Sequence, residues 1–183
     1  MTRLFDILLS FLGLVLLSPI MILIFVFGFF DSGSPLFFQK RIGRFEKPFI
    51  FIKFRSMSPD SPSVASHIVD SSKITKFGHF LRKTKLDELP QLWNVLKGDM
   101  SLVGPRPGLF NQEELFEVRK RYGVFNVRPG MTGLSQVNNI DMSTPKLLAE
   151  MDAKMIETLN IFSYFKYIIL TIIGKGQGDA ARH

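Results

Sequence analysis

Ile7 to Phe30 reads ILLSFLGLVLLSPIMILIFVFGFF, 24 consecutive positions without a charge, and any fold of this chain has to accommodate that run. As a helix rising ~1.5 Å per residue it reaches roughly 36 Å, enough to cross a hydrocarbon core of ~30 Å. A cleaved signal peptide has an apolar stretch of about 7–15 residues and a small-residue cleavage site. This run is longer, and the DSGSP that follows lacks such a site. Residues 1–30 therefore read as a retained membrane segment, and residues 31–183 as a single domain. Pro19 removes one backbone donor and pushes against the Val15 carbonyl, so a bend is expected there, with Ser18 bonding back to a freed carbonyl. Two architectures follow: a kinked spanning helix, or a hairpin that turns at Ser18-Pro19 and leaves on the side it entered. Lys40, Arg41, Arg44 and Lys47 place the following domain in the cytoplasm, and Arg3 adds one vote for keeping the preceding end there too.

Beyond the membrane segment, PLFFQKRIGRFEKPFIFIKFRSM has apolar-aromatic runs at Leu36–Phe38 and Phe49–Phe54 around a polar centre, the pattern of a β-hairpin. Ser58 to Ser72 is rich in Ser, Pro and Asp and reads as a surface loop. Leu86, Leu89, Trp93 and Leu96 recur at helical spacing. Pro90 is tolerated only in the first turn, so that helix is expected to begin near Asp87, with Asp87 as N-cap and Glu88 in the first turn. Pro145 to Phe162 reads as a further helix. Tyr167 to Ile173 is apolar but too short to span, and with the polar tail GKGQGDAARH behind it reads as a helix lying in the membrane interface or packed on the core. The fold class is α+β, mainly helical.

Asp87 and Glu88 sit among Arg82, Lys83, Lys85, Lys97 and Arg106. Acidic residues at a helix start contribute ~0.3–1 kcal/mol and are common. Here the surrounding cations favour an ionised carboxylate, which can attack phosphorus or bind Mg2+. GPRPG stiffens the backbone on both sides of Arg106, and NVRPGMTGLSQVNN does the same for Arg128, then supplies Gln136 and Asn138 as amide donors and acceptors. The chain has no cysteine and only His67, His79 and His183, which excludes a disulfide framework and a Cys/His zinc site. A net charge of +7 favours anionic partners. No Walker A loop, G-x-S-x-G elbow, H-E-x-x-H pair or strand-bound G-x-G-x-x-G is present.

Ser18-Pro19 in the apolar run, FQKRIG, FIKFRSM, KFGHFLRKTKLDELPQLWNVLKGDMSLVGPRP and VRPGMTGLSQVN together resemble the small monotopic phosphoglycosyl transferases, the bacterial sugar transferase family. The resemblance implies a catalytic domain on the cytoplasmic face of the bacterial inner membrane, anchored by a re-entrant helix broken at Ser18-Pro19 and by helices along the membrane surface. It implies transfer of a sugar-1-phosphate from a UDP-sugar to polyprenyl phosphate, with release of UMP. Asp87 would be the nucleophile and a Mg2+ ligand, and Glu88 its dyad partner, positioning the metal or accepting a proton. Arg82, Arg106 and Arg128 would hold phosphate or nucleotide groups, with Arg41, Lys53, Arg55, Gln136 and Asn138 as further substrate contacts. One departure lies in IFSYFKYIIL, where the family carries an acidic residue and this chain has none.

The competing reading is a non-enzymatic, membrane-anchored basic module that binds anionic lipid or nucleic acid. It would tolerate loss of the Asp87 carboxylate and weaken smoothly with salt. The basic-flanked Asp-Glu pair together with two stiffened arginine turns favours the enzyme, whose partners are a UDP-sugar, polyprenyl phosphate and membrane lipid rather than nucleic acid.

Overall fold

Thr2–Ser32 forms one helix, α1, of 31 residues in the structure, a computed structural model that describes residues 2–61 and 71–176. Its backbone stays helical across Ser18-Pro19. Pro19 has no N–H to offer the Val15 carbonyl, and the Ser18 hydroxyl donates to that same oxygen at 2.8 Å. The back-bond expected of Ser18 is there, and it repairs the gap well enough that the chain runs on as a helix where a sharp hairpin was one expectation.

A narrow face of α1 is buried, and both ends of that face are tied to the same body of protein. Near the start, Arg3 donates to the carbonyls of Val95 at 2.7 Å and Leu96 at 3.0 Å. Buried Asp6 accepts from Ser101 Oγ, the Leu102 N–H and the Tyr164 hydroxyl. Near the end, Ile24 packs with Phe54 and Leu81, Gly28 meets Pro35, and Asp31 accepts from Thr75 Oγ1 at 2.7 Å. The other faces expose Leu4, Leu8, Phe11, Leu16, Ile22 and Phe30.

The expected hairpin is present as β1, Leu36–Ile42, antiparallel to β2, Pro48–Phe54. The register pairs Phe37 with Lys53, Gln39 with Phe51 and Arg41 with Phe49, so Gln39, Arg41 and Lys53 share the buried face with two phenylalanines. The expected surface loop at 58–72 lies partly outside the described residues, as does the end of the basic tail beyond 176.

α2, Lys76–Thr84, is N-capped by Thr75, whose Oγ1 accepts from the Gly78 N–H at 2.8 Å. Lys85 then adopts a left-handed conformation, φ 58°, which ends the helix and redirects the chain into a single 3-10 turn, Leu86–Glu88. α3, Gln91–Lys97, begins only after Pro90. Asp87 is therefore inside the 3-10 turn and is not the N-cap of the helix. The break also changes the helical phase. Leu92 and Val95 enter the main core, Leu86 and Leu89 pack with Leu81 and Phe54, and Trp93, expected on the buried stripe, is 53% exposed. Asn94, fully buried, donates to the Ile50 carbonyl and accepts from the Ile52 N–H, which fastens α3 to the free edge of β2.

Two three-residue strands, β3 (Ser101–Val103) and β4 (Gly130–Thr132), pair in parallel, in register Ser101–Gly130 and Val103–Thr132. At Gly130 a Cβ would come within 2.0 Å of the Gly104 nitrogen, so this crossing needs a residue without a side chain. α4 spans Glu113–Arg121, α5 Leu134–Val137, α6 Pro145–Thr158 and α7 Ile161–Ile172. The helix expected to run to Phe162 stops at Thr158. Leu159 is extended, and Asn160 starts α7 with a capping box: its side chain accepts from the Ser163 N–H, and the Ser163 hydroxyl accepts from the Asn160 N–H. α7 packs on the core, one of the two expectations for its apolar run. Tyr164 and Tyr167 join the core, and Phe162, Ile169 and Ile172 face outward.

Candidate active site

Gly104 to Gly108, the GPRPG segment, is held at every carbonyl. Gln136 Nε2 donates to Gly104 O at 3.1 Å, the Gly130 N–H to Pro105 O at 2.8 Å and Arg119 Nη1 to Arg106 O at 2.8 Å. Arg41 Nη1 donates to Pro107 O at 2.7 Å, and the Ile42 N–H to Gly108 O at 3.0 Å. Pro105 and Pro107 fix φ within the same stretch. Four elements, β1, β4, α4 and α5, thus set the path of one short loop, and the side chain it presents is Arg106, with Nη2 at 4.0 Å from Glu88 Oε1.

Asp87 precedes that glutamate in the 3-10 turn and is 2% exposed. The turn packs on α2 and on β2. α2 brings Arg82, buried, with Nε donating to Ser56 Oγ at 2.8 Å. β2 carries Lys53 on its buried face. Lys85, next to the turn, donates from Nζ to the Lys175 carbonyl at 2.6 Å. Burial pushes the Lys85 ammonium below the usual lysine range and nearby Arg106 pushes it the same way, while Glu88 pulls it back up. The result is a recessed carboxylate in a turn that follows Lys85, packs on the elements carrying Arg82 and Lys53, and has Arg106 4.0 Å from its Glu88. Such a setting can hold a phosphate-bearing anion against a nucleophilic oxygen.

The structure distributes the remaining expected residues differently. Arg41 and Gln136 act here through the backbone of the GPRPG loop, and Arg41 also donates from Nε to Gln39 Oε1 at 3.0 Å. Arg55 donates to the carbonyls of Ser34 and Leu36 and so pins the connection from α1 to β1. Asn138 is exposed at the end of α5 and donates to Leu134 O. Arg128 donates from Nε to Gly98 O at 2.8 Å and lines a separate cavity with Arg3 and Arg44, to which neither Asp87 nor Glu88 contributes.

Two positioning residues were not anticipated from sequence. Arg119 and Asp152 are both buried, joined by Nε and Nη2 to Oδ2 at 3.0 and 2.6 Å, and Asp152 also accepts from Ser135 Oγ at 2.8 Å. A signal did exist. Arg119 lies one helical turn from buried Leu115, and Asp152 falls in the stripe of Leu148, Ala149 and Met155, so each charge is in phase with an apolar face.

The family model for bacterial sugar transferases matches residues 1–176. The chain belongs to the bacterial sugar transferase family. Similar members include the uncharacterized sugar transferase EpsL of Bacillus subtilis strain 168, 37% identical over 171 residues, which cover 93% of this chain and 84% of that one. The undecaprenyl-phosphate galactose phosphotransferase of Salmonella typhimurium strain LT2 is 40% identical across 78% of this sugar transferase and 34% of its own length. The UDP-glucose:undecaprenyl-phosphate glucose-1-phosphate transferase of Klebsiella pneumoniae is 38% identical across 93% of this sugar transferase and 39% of its own length. The chain thus spans little more than a third of the two longer relatives. An apolar helix long enough to cross a membrane fits a membrane-associated sugar transferase.

Proposed function

We propose that this sugar transferase moves a sugar-1-phosphate from a UDP-sugar to undecaprenyl or a similar polyprenyl phosphate, releasing UMP, through a covalent intermediate on Asp87. The reading rests chiefly on the recessed Asp87 in a turn whose next residue, Glu88, faces an arginine with its loop fixed at five consecutive carbonyls. The two longer relatives carry names that describe phosphosugar transfer to undecaprenyl phosphate.

In the first half-reaction an Asp87 carboxylate oxygen forms a bond to the sugar-bound phosphorus. The bond from that phosphorus to the bridging oxygen breaks, and UMP leaves with the electron pair. Arg106 and Arg82 stabilise charge on the phosphoryl oxygens without reorganising, because their positions are fixed beforehand. In the second half an oxygen of the polyprenyl phosphate attacks the same phosphorus and displaces Asp87. Among the described residues no group of three or more His, Cys, Asp and Glu side chains converges, and the carboxylates this turn offers a metal are Asp87 and Glu88. That suits Mg2+, commonly held by one or two carboxylates with substrate phosphate oxygens and water. When bound it would neutralise charge on the diphosphate.

The test is order of events. Enzyme mixed with its UDP-sugar and Mg2+, without acceptor, is expected to release UMP up to about one equivalent per site and then slow. Labelled UMP should exchange back into UDP-sugar, and both signals should vanish in excess chelator. Normal turnover with neither burst nor exchange would favour direct transfer and make Asp87 a base or metal ligand.

We also propose that α1 enters the bilayer only in part, with both ends on the cytoplasmic face. The support is that Arg3 and Asp31, near opposite ends of the helix, are bonded to the same domain. A single cysteine at Thr2, in this cysteine-free chain, is expected to resist a membrane-impermeant thiol reagent in intact cells. Labelling from outside would mean a spanning helix and would leave the chemistry untouched.

A further inference from the structure

A cavity of about 210 Å³ lies where the start of α1 meets the loop after β3 and the segment leading into β4. Arg3, Arg44 and Arg128 line it, with Asp6 as the single carboxylate. Asp6 is already engaged by Ser101, Leu102 and Tyr164, and its Oδ2 lies 4.0 Å from Arg3 Nη1. Arg3 in turn gives its Nη groups to the Val95 and Leu96 carbonyls. Arg44 and Arg128 are different. Each donates from Nε, to Asn126 O at 2.9 Å and Gly98 O at 2.8 Å, and their Nη groups donate to no other described residue. Burial, then the cations of Arg3 and Arg44, push the Arg128 guanidinium below its ordinary range, and Asp6, the one carboxylate lining the cavity, pulls it back only in part.

The size of the cavity narrows the ligand. It falls below the ~300 Å³ at which drug-sized ligands are usually enclosed, which suits a phosphate group better than a whole nucleotide sugar. Next to it, the outward face of α7 forms an open, mainly apolar hollow of about 540 Å³ lined by Ile161, Phe162, Phe165, Lys166, Ile169 and Leu170. The two adjoin. Leu159 lines the cavity and Ile161 the hollow. Phe5, beside Asp6, packs edge-on against Phe165 at 5.2 Å.

We infer that this junction binds one anionic phospholipid, its phosphate gripped by the Nη groups of Arg44 and Arg128 and an acyl chain laid along α7. Two guanidinium forks facing an empty-handed side match a phosphate's oxygens, and the adjoining apolar surface distinguishes a lipid-borne phosphate from a free one. The cavity backs onto the GPRPG loop through Gly104 and Pro105, and the inference does not depend on the transfer reaction proposed above. Arg128, expected at the substrate, becomes a lipid contact, and bound lipid would clamp α1 to α7.

The test titrates the full chain in neutral detergent with phosphatidylglycerol, phosphatidylcholine and undecaprenyl phosphate in separate series, following melting temperature. Phosphatidylglycerol is expected to raise it saturably and phosphatidylcholine to leave it unchanged. Arg44→Gln and Arg128→Gln, tested singly, should each weaken the apparent affinity for phosphatidylglycerol about tenfold. Arg44 is exposed, so that variant should melt with the parent when no lipid is added. The inference is overturned if phosphatidylglycerol stabilises nothing, if it stabilises parent and variants along the same curve, or if undecaprenyl phosphate alone stabilises. That last result would make the cavity an acceptor subsite.

Discussion

Asp87→Asn is expected to reduce turnover by at least about a thousandfold while the protein still folds, because the amide keeps the size and hydrogen-bonding reach of the carboxylate but cannot attack phosphorus. The side chain sits in a 3-10 turn whose backbone bonds, Glu88 N–H to Lys85 O and Leu89 N–H to Leu86 O, do not involve it. The informative pair of measurements is steady-state UMP release and melting temperature on the same preparation. Activity within tenfold of the parent would remove Asp87 as nucleophile. It would also revive the rival reading of a basic membrane module, for which that carboxylate is dispensable.

Arg119→Met should cost stability on a comparable scale. Removing one partner of a buried ion pair leaves the other charge uncompensated, typically about 3–5 kcal/mol, which for a domain of this size lowers Tm by roughly 6–20 °C. The loss should depend on pH, and its sign can be worked out. Burial pushes the Asp152 carboxyl above the usual carboxylate range, and Arg119 is the chief group pulling it back. Without Arg119 it rises further, so the folded state holds a proton that the unfolded state, near ~3.9, releases. Stability is then lost as pH rises through that window. The deficit against the parent should be smaller at pH 5 than at pH 8, and a deficit that shrinks with rising pH would contradict this account. Activity should fall even in the folded fraction, since Arg119 also holds the Arg106 carbonyl.

What could be read from the chain followed the strength of its local signals. The hairpin was legible because Phe49–Phe54 is aromatic and β-branched and its partner run is bounded by turn residues. β3 and β4 were not, since three residues are too few to show alternation and their pairing is set by Gly104 meeting Gly130 across the fold. The helix beginning at Pro145 was placed correctly at its start and overrun at its end, where the Asn160 box competes with an otherwise uninterrupted helical pattern. In the site, the Asp87-Glu88 pair and Arg106 stood out through their company. Their phase did not, because one left-handed residue, Lys85, rotates everything after it. Arg41 and Gln136 were expected as substrate contacts through the family resemblance, and their bonds to Pro107 and Gly104 are long-range facts no local pattern encodes.

The tie between Asp6 and Tyr164 spans 158 positions of sequence. Of the described elements α1 leaves the ribosome first and α7 last, and at ~5–20 residues per second the interval between those two side chains is roughly 8–30 s. Throughout that time a carboxylate destined for the interior lacks the last of its donors, Ser101 and Leu102 having been made earlier. Assembly of the domain is therefore completed around a helix made long before its last partner. A chain trimmed of α1 to make it soluble would leave Ser101, the Leu102 N–H and the Tyr164 hydroxyl facing the space where Asp6 belongs.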